Sequence, residues 1–113
     1  MSEYEENELI PVAMQMILHA GDARIKTQEA LAFTKTFDFK FANDCMIEAD
    51  ECLHQAHIAQ TDVIQNEARG QVYDSCLLFN HAQDTLMTIM SEQKLAKEMI
   101  EMFEILYRKI EEN

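Results

Sequence analysis

Neither glycine nor proline occurs between Asp22 and Arg69, and neither recurs after Gly70. A chain with so few residues that break helices or make tight turns has few places to bend. At 113 residues, with 2 Gly, 1 Pro, 8 Met and no Trp, the expectation is one all-α domain. Two interruptions divide it. The first is Thr36-Phe37-Asp38-Phe39, where Asp38 is a suitable N-cap; the second is Arg69-Gly70, a basic last turn followed by a C′ glycine, and the connector to Asp74.

Three long helices result. The first runs from near Leu9 to about Lys35, with Pro11 in its opening turn and a stripe of Ile10, Ala13, Ile17, Ala20, Ile25, Leu31 and Phe33. The second carries Phe41, Cys45, Ala49, Cys52, Ala56, Ala59 and Val63 at spacings of three and four, and its small residues suggest close helix approach. The third spans about Ser75 to Ile110, capped by Asp74 or Ser75. Short turns between long helices make neighbours antiparallel, so the expected fold is an up-down-up three-helix bundle.

Charge narrows the function. With 21 acidic against 9 basic residues, the net charge of −12 repels phosphate backbones and anionic lipid, so nucleic acid and membrane surfaces are poor partners. No run approaches the roughly 18 to 20 apolar residues of a membrane span, and the acidic opening Met1 to Glu6 lacks the basic segment of a signal peptide. A soluble, cytoplasmic protein is expected. Cys45, Cys52 and Cys76 form no CxxC pair, which favours small buried apolar residues over a disulfide framework or a zinc site.

The third helix carries two stripes. Leu78, Ala82, Ile89, Ala96, Ile100, Phe103, Tyr107 and Ile110 make an ordinary core face. Leu77, Leu95, Met99, Met102 and Leu106 make a second, centred roughly 120° away. That stripe is either a subunit interface or the edge of a wide core face. It is interrupted by His81, Asp84, Thr88 and Ser91, and polar groups on an apolar face need partners or a function.

His81 and Asp84, three apart, are surface neighbours on the helix. The carboxylate could fix the imidazole tautomer, or the two could bind a metal. Elsewhere, Glu51, His54 and His57 read as Glu-x-x-His-x-x-His; di-iron bundles use Glu-x-x-His on two helices, and no second copy occurs here, so a solvated pair is expected. His19, among apolar neighbours, is expected to be partly buried and hydrogen-bonded. Glycine-rich phosphate loops and nucleophile elbows are missing. Chemistry done by one side chain remains open, and a histidine that accepts and passes on a phosphoryl group fits, because imidazole nitrogen is both nucleophile and leaving group near neutral pH.

The stretch Asn80-His81-Ala82-Gln83-Asp84-Thr85-Leu86-Met87-Thr88 resembles the active-site motif of the enzyme IIA components of the lactose/cellobiose (chitobiose) class of the bacterial phosphoenolpyruvate-dependent sugar phosphotransferase system. Ala20 to Arg24 with Glu29-Ala30-Leu31, and Ala56 to Gly70, are similar to the same family in the same order. The similarity runs from about Leu9 to Lys109 and implies a single domain of residues 1–113, in which residues 1–8, outside the similarity, form an acidic arm expected to be flexible.

The resemblance implies a phosphotransferase component in which His81 accepts a phosphoryl group from the phosphocarrier HPr and passes it to enzyme IIB, for uptake of a β-linked disaccharide. It further implies a homotrimer in which Asp84 of each chain meets near the threefold axis and binds one metal ion, magnesium. The family often has a second histidine four residues after the first; this chain has Thr85 there, which alters hydrogen bonding around the site without removing the phosphoacceptor. The competing reading is a non-catalytic helical adaptor whose second stripe docks a partner helix.

Overall fold

The computed structural model describes residues 7–113. Three helices, α1 (Leu9–Lys35), α2 (Phe39–Ala68) and α3 (Leu77–Glu111), form an antiparallel bundle 71 Å long and 26 by 17 Å across. The expectation of a flexible acidic arm falls mainly on residues 1–6, outside the described residues. Asn7 is held: its Oδ1 accepts from Leu9 N at 2.8 Å and its Nδ2 donates to the carbonyls of Asp74 and Ser75. The start of α1 is thereby tied to the connector before α3.

Both turns follow from helix-ending chemistry. Gly70 takes φ +105°, Gly70 N donates to Glu67 O and Gln71 N to Asn66 O, the paired bonds of a Schellman ending. The α1–α2 corner makes the same pair, Phe37 N to Thr34 O and Asp38 N to Phe33 O, but with Phe37 in the left-handed position at φ +63°. A β-carbon there costs of order 1–2 kcal/mol. The Phe37 ring offsets that cost by stacking on Tyr107 with centroids 4.8 Å apart, and Phe39 lies 5.6 Å from the same ring. Asp38 caps α2, as expected, by accepting from Phe41 N. The expected caps of α3 are not used: the helix begins at Leu77, two residues later, and Cys76 at the N-cap makes no side-chain bond. Asn7 holds the carbonyls of Asp74 and Ser75 and keeps those residues in the connector.

The core is built from small side chains. Ala13, Ala20, Ala23 and Ala30 of α1 are buried with Ala42, Ala49 and Ala56 of α2, and Met16 is a large residue of α1 with no exposure. Ile25 and Phe33, expected in the core stripe, instead face outward, because the close approach that alanines permit leaves no room for them between helices. Phe41 is likewise exposed. On α3 the buried face is Phe79, Ala82, Leu86, Ile89, Ala96 and Ile100, rotated from the expected one so that Phe79 and Leu86 enter it. Phe103 and Ile110 lie outside, since no residue of α3 from Glu101 onward is buried. Helix α1 packs against both neighbours, whereas α2 and α3 touch each other least. Among the described residues no buried side-chain nitrogen or oxygen lacks a partner.

Two substitutions test this packing. A β-carbon at Gly70 would meet no atom within 4 Å, so Gly70→Ala should cost only its backbone strain, about 1 kcal/mol in urea unfolding. Ala49→Leu overfills the α1–α2 seam and should cost about 1–3 kcal/mol, read as a lowered Tm.

Candidate functional site

The second stripe of α3 faces away from the bundle. Leu77 is 84% exposed, Leu95 64% and Met102 60%, and Met99, Ile105 and Leu106 are also more than half exposed. An isolated exposed leucine is ordinary, but an apolar row from Leu95 to Leu106, with Leu77 ahead of it beyond a polar segment, is surface left over after the core is filled. In its C-terminal third the row widens into an apolar cleft of about 480 Å³, where Met99, Met102 and Phe103 meet Leu31, Thr34 and Lys35 of α1.

His81 and Asp84 lie in the N-terminal third of this row and are both exposed, with Thr88 and Ser91 continuing the polar segment. Leu77, His81, Asp84, Thr88, Ser91 and Leu95 alternate spacings of four and three, the repeat of a coiled-coil seam. His81 is in the second turn of α3, and helical side chains lean toward the N-terminus, so its imidazole lies toward the positive end of the helix dipole. Among the described residues no ion pair involves Asp84. Nor does a side-chain hydrogen bond join it to His81. The carboxylate therefore does not orient the imidazole within one chain.

Within one chain, no three His, Cys, Asp or Glu side chains among the described residues gather to hold a metal ion. Beside His81 on the seam face each chain offers the exposed carboxylate of Asp84. Carboxylate oxygens are the hard donors that magnesium prefers, so the donor chemistry fits only if copies of Asp84 from several chains converge.

Gln83, between those two residues in sequence, points the other way. It receives a hydrogen bond of 3.0 Å from Nε2 of Gln60, a buried residue of α2. Further along the same α2–α3 seam, Gln93 donates to Asp50, and Lys97 pairs with Asp50 at 2.8 Å. On the opposite flank, Arg24 of α1 makes a two-pronged pair with Glu92, both contacts at 2.9 Å. These polar pairs fix the rotation of α3 about its own axis, and hence where His81 points. Sequence reading passed over Gln60; the signal was a glutamine in the core stripe of α2, four after Ala56 and three before Val63.

The other candidates sit apart. Glu51 accepts from Gln55, His57 contacts Thr61 at 3.4 Å, and His54 and His57 are exposed on the rim of the α2–α3 seam. His19 is half-buried, as expected, but among the described residues its ring makes no hydrogen bond, contrary to the expectation. Burial, reinforced by nearby carboxylates, pushes the Cys45 and Cys52 thiols up from their usual range, which keeps them protonated and unreactive at neutral pH.

Comparison with known proteins points to one family. Residues 11–104 match the family model described as the phosphotransferase system lactose/cellobiose-specific IIA subunit. The chain is 41% identical over 97 residues to the lichenan-specific phosphotransferase enzyme IIA component of Bacillus subtilis, covering 86% of this chain and 88% of the relative. It superposes on the cellobiose-specific enzyme IIA of Bacillus anthracis with a TM-score of 0.86 and 36% identity, covering 96% of this chain and 99% of that one. It superposes on the chitobiose IIA solved in complex with HPr from Escherichia coli with a TM-score of 0.76 and 37% identity, over 90% and 99% of the two chains. The match spans α1, α2 and the greater part of α3, the motif around His81 included, and the chain belongs to the lactose/cellobiose-specific IIA subunits of the sugar phosphotransferase system.

Proposed function

We propose that this IIA component carries its phosphoryl group on His81, receiving it from phosphorylated HPr and giving it to enzyme IIB in the cytoplasm. The observation that carries the reading is an exposed imidazole beside an exposed carboxylate on an otherwise apolar helix face. A relative of 37% identity was solved with HPr, which supports the donor. Those relatives carry the names of lichenan, cellobiose and chitobiose, which supports a β-linked oligosaccharide as the sugar served.

The chemistry needs little from the protein beyond position and charge. A ring nitrogen of neutral His81 attacks phosphorus in line. Its lone pair forms the new N–P bond while the donor histidine's N–P bond breaks and that electron pair returns to the donor imidazole. The second transfer reverses this, with His81 as leaving group and a IIB nucleophile as acceptor. The α3 N-terminus favours the incoming negative charge.

The active form is a homotrimer about the α3 seam. The apolar row from Leu95 to Leu106 supplies the buried contact, and Asp84 of each chain faces the axis. Carboxylates brought together in an apolar interface repel strongly unless a cation neutralises them. Asp84 would hold one magnesium ion between the chains, and the ion supplies that neutralisation. By the helical repeat of about 100° per residue, His81 lies about 60° to one side of Asp84 and Gln83 about 100° to the other. A cyclic arrangement therefore sets the His81 flank of one chain against the Gln83 flank of the next.

Three outcomes are expected. Incubated with phosphoenolpyruvate, enzyme I and HPr, the wild type should gain one acid-labile phosphoryl group, roughly 80 Da by intact mass, and His81→Ala none. A His81→Ala variant that still gains the group would move the acceptor role to another residue, and no gain by the wild type, with active upstream proteins, would favour the adaptor reading. By analytical ultracentrifugation, Leu95→Glu should dissociate the trimer, whereas Asp84→Asn should keep it and abolish its sensitivity to chelator. The net charge of −12 should draw in basic partner surfaces, so the second-order rate of phosphoryl uptake should fall with added salt.

A further inference from the structure

The Gln60–Gln83 pair is costly as packing. Gln60 occupies a core position of α2, is 7% exposed, and bonds to Gln83 across 23 residues of sequence. A neutral amide pair yields about 0.5–1.5 kcal/mol net, while each amide taken from water carries a comparable or larger desolvation cost. Two apolar residues of the same volume would hold α2 to α3 at least as well.

What the pair does provide is a single orientation for Gln83. One edge of its amide is taken by Gln60, and the other is left at a cleft of about 260 Å³ that Asn80 and Phe79 also line. Gln83 cannot serve the histidine of its own chain, because it lies about 160° around the helix from His81. In the cyclic arrangement its flank meets the next chain's histidine.

We propose that Gln60 is a positioning residue for phosphoryl transfer: it holds Gln83 so that the free amide edge donates to phosphoryl oxygens on His81 of the partner subunit. The inference rests on the trimeric phosphocarrier reading above. A free glutamine on a helix surface samples several rotamers, and a donor locked before the charge arrives has no reorganisation left to make.

The test compares rates of phosphoryl uptake from phosphorylated HPr by the full-length trimer. Gln60→Leu should slow uptake roughly tenfold, with the dependence on HPr concentration, the Tm and the trimer mass kept or improved. Gln83→Leu should slow it at least as much, and the double variant should be no slower than Gln83→Leu alone, since the two act as one unit. Gln60→Glu adds a signature that simple packing lacks. Its protonated carboxyl can replace the amide as donor, so its rate relative to wild type at the same pH should rise as pH falls from about 8 to 5.5. Should Gln60→Leu not fold, that profile decides alone.

Wild-type uptake together with full-rate uptake by trimeric Gln60→Leu, or a double variant slower than either single, or a flat relative profile for Gln60→Glu, would overturn the positioning role and leave His81 as the carrier. No uptake by wild type would sink both.

Discussion

The close approach of α1 to its neighbours governs the rest of the molecule. Ala13, Ala20, Ala23 and Ala30 let α1 pack closely against the alanines of α2, and a seam built of alanines cannot accommodate branched or aromatic side chains. Large apolar residues of α1 are consequently displaced outward, as Met14, Leu18 and Ile25, while α3 buries Phe79, Leu86, Ile89 and Ile100 and leaves Leu95, Met99 and Met102 exposed. A monomer of this design spends its small residues inside and leaves a hydrophobic row along its longest helix. In the proposed trimer that row becomes the interface.

Upon that row the polar segment from His81 to Ser91 acquires its meaning. On an ordinary surface an exposed histidine beside an aspartate would be unremarked. Flanked by Leu77 on one side and Leu95 on the other, both well over half exposed, the same two residues would lie where chains meet in the proposed trimer, and there an unneutralised carboxylate is costly. Under the trimeric phosphocarrier proposal, bound cation, assembly and phosphoryl acceptance are coupled. The polar pairs on the flanks of α3, Arg24 with Glu92, Gln60 with Gln83 and Asp50 with Lys97, set the rotation on which that coupling depends.

Much of this was legible in the residues. The bounds of α1, the Asp38 cap and the Gly70 ending followed from local chemistry that needs no partner helix. The second stripe of α3 followed from its period. Reading failed where tertiary contact decides. Phe37 in a left-handed conformation is held by Tyr107, which lies 70 positions away in sequence, and no local signal marks it. The delayed start of α3 depends on Asn7 reaching the connector. The core face of α1 differs from the hydrophobic stripe because size decides which residues can enter an alanine seam, and that of α3 is rotated so that Phe79 and Leu86 enter it. Of the candidate site, His81 and Asp84 were named from their pattern and from the family resemblance, but Gln60 was hidden because a buried glutamine has meaning only once its partner across the bundle is known.

The account stands on one helix face serving as both interface and site, and native mass spectrometry of the protein exposed to phosphorylated HPr in magnesium tests it most directly. The predicted result is a three-chain assembly that retains one divalent ion and accepts up to three phosphoryl groups. A monomer that accepts the phosphoryl group as readily, with no ion bound, would contradict it.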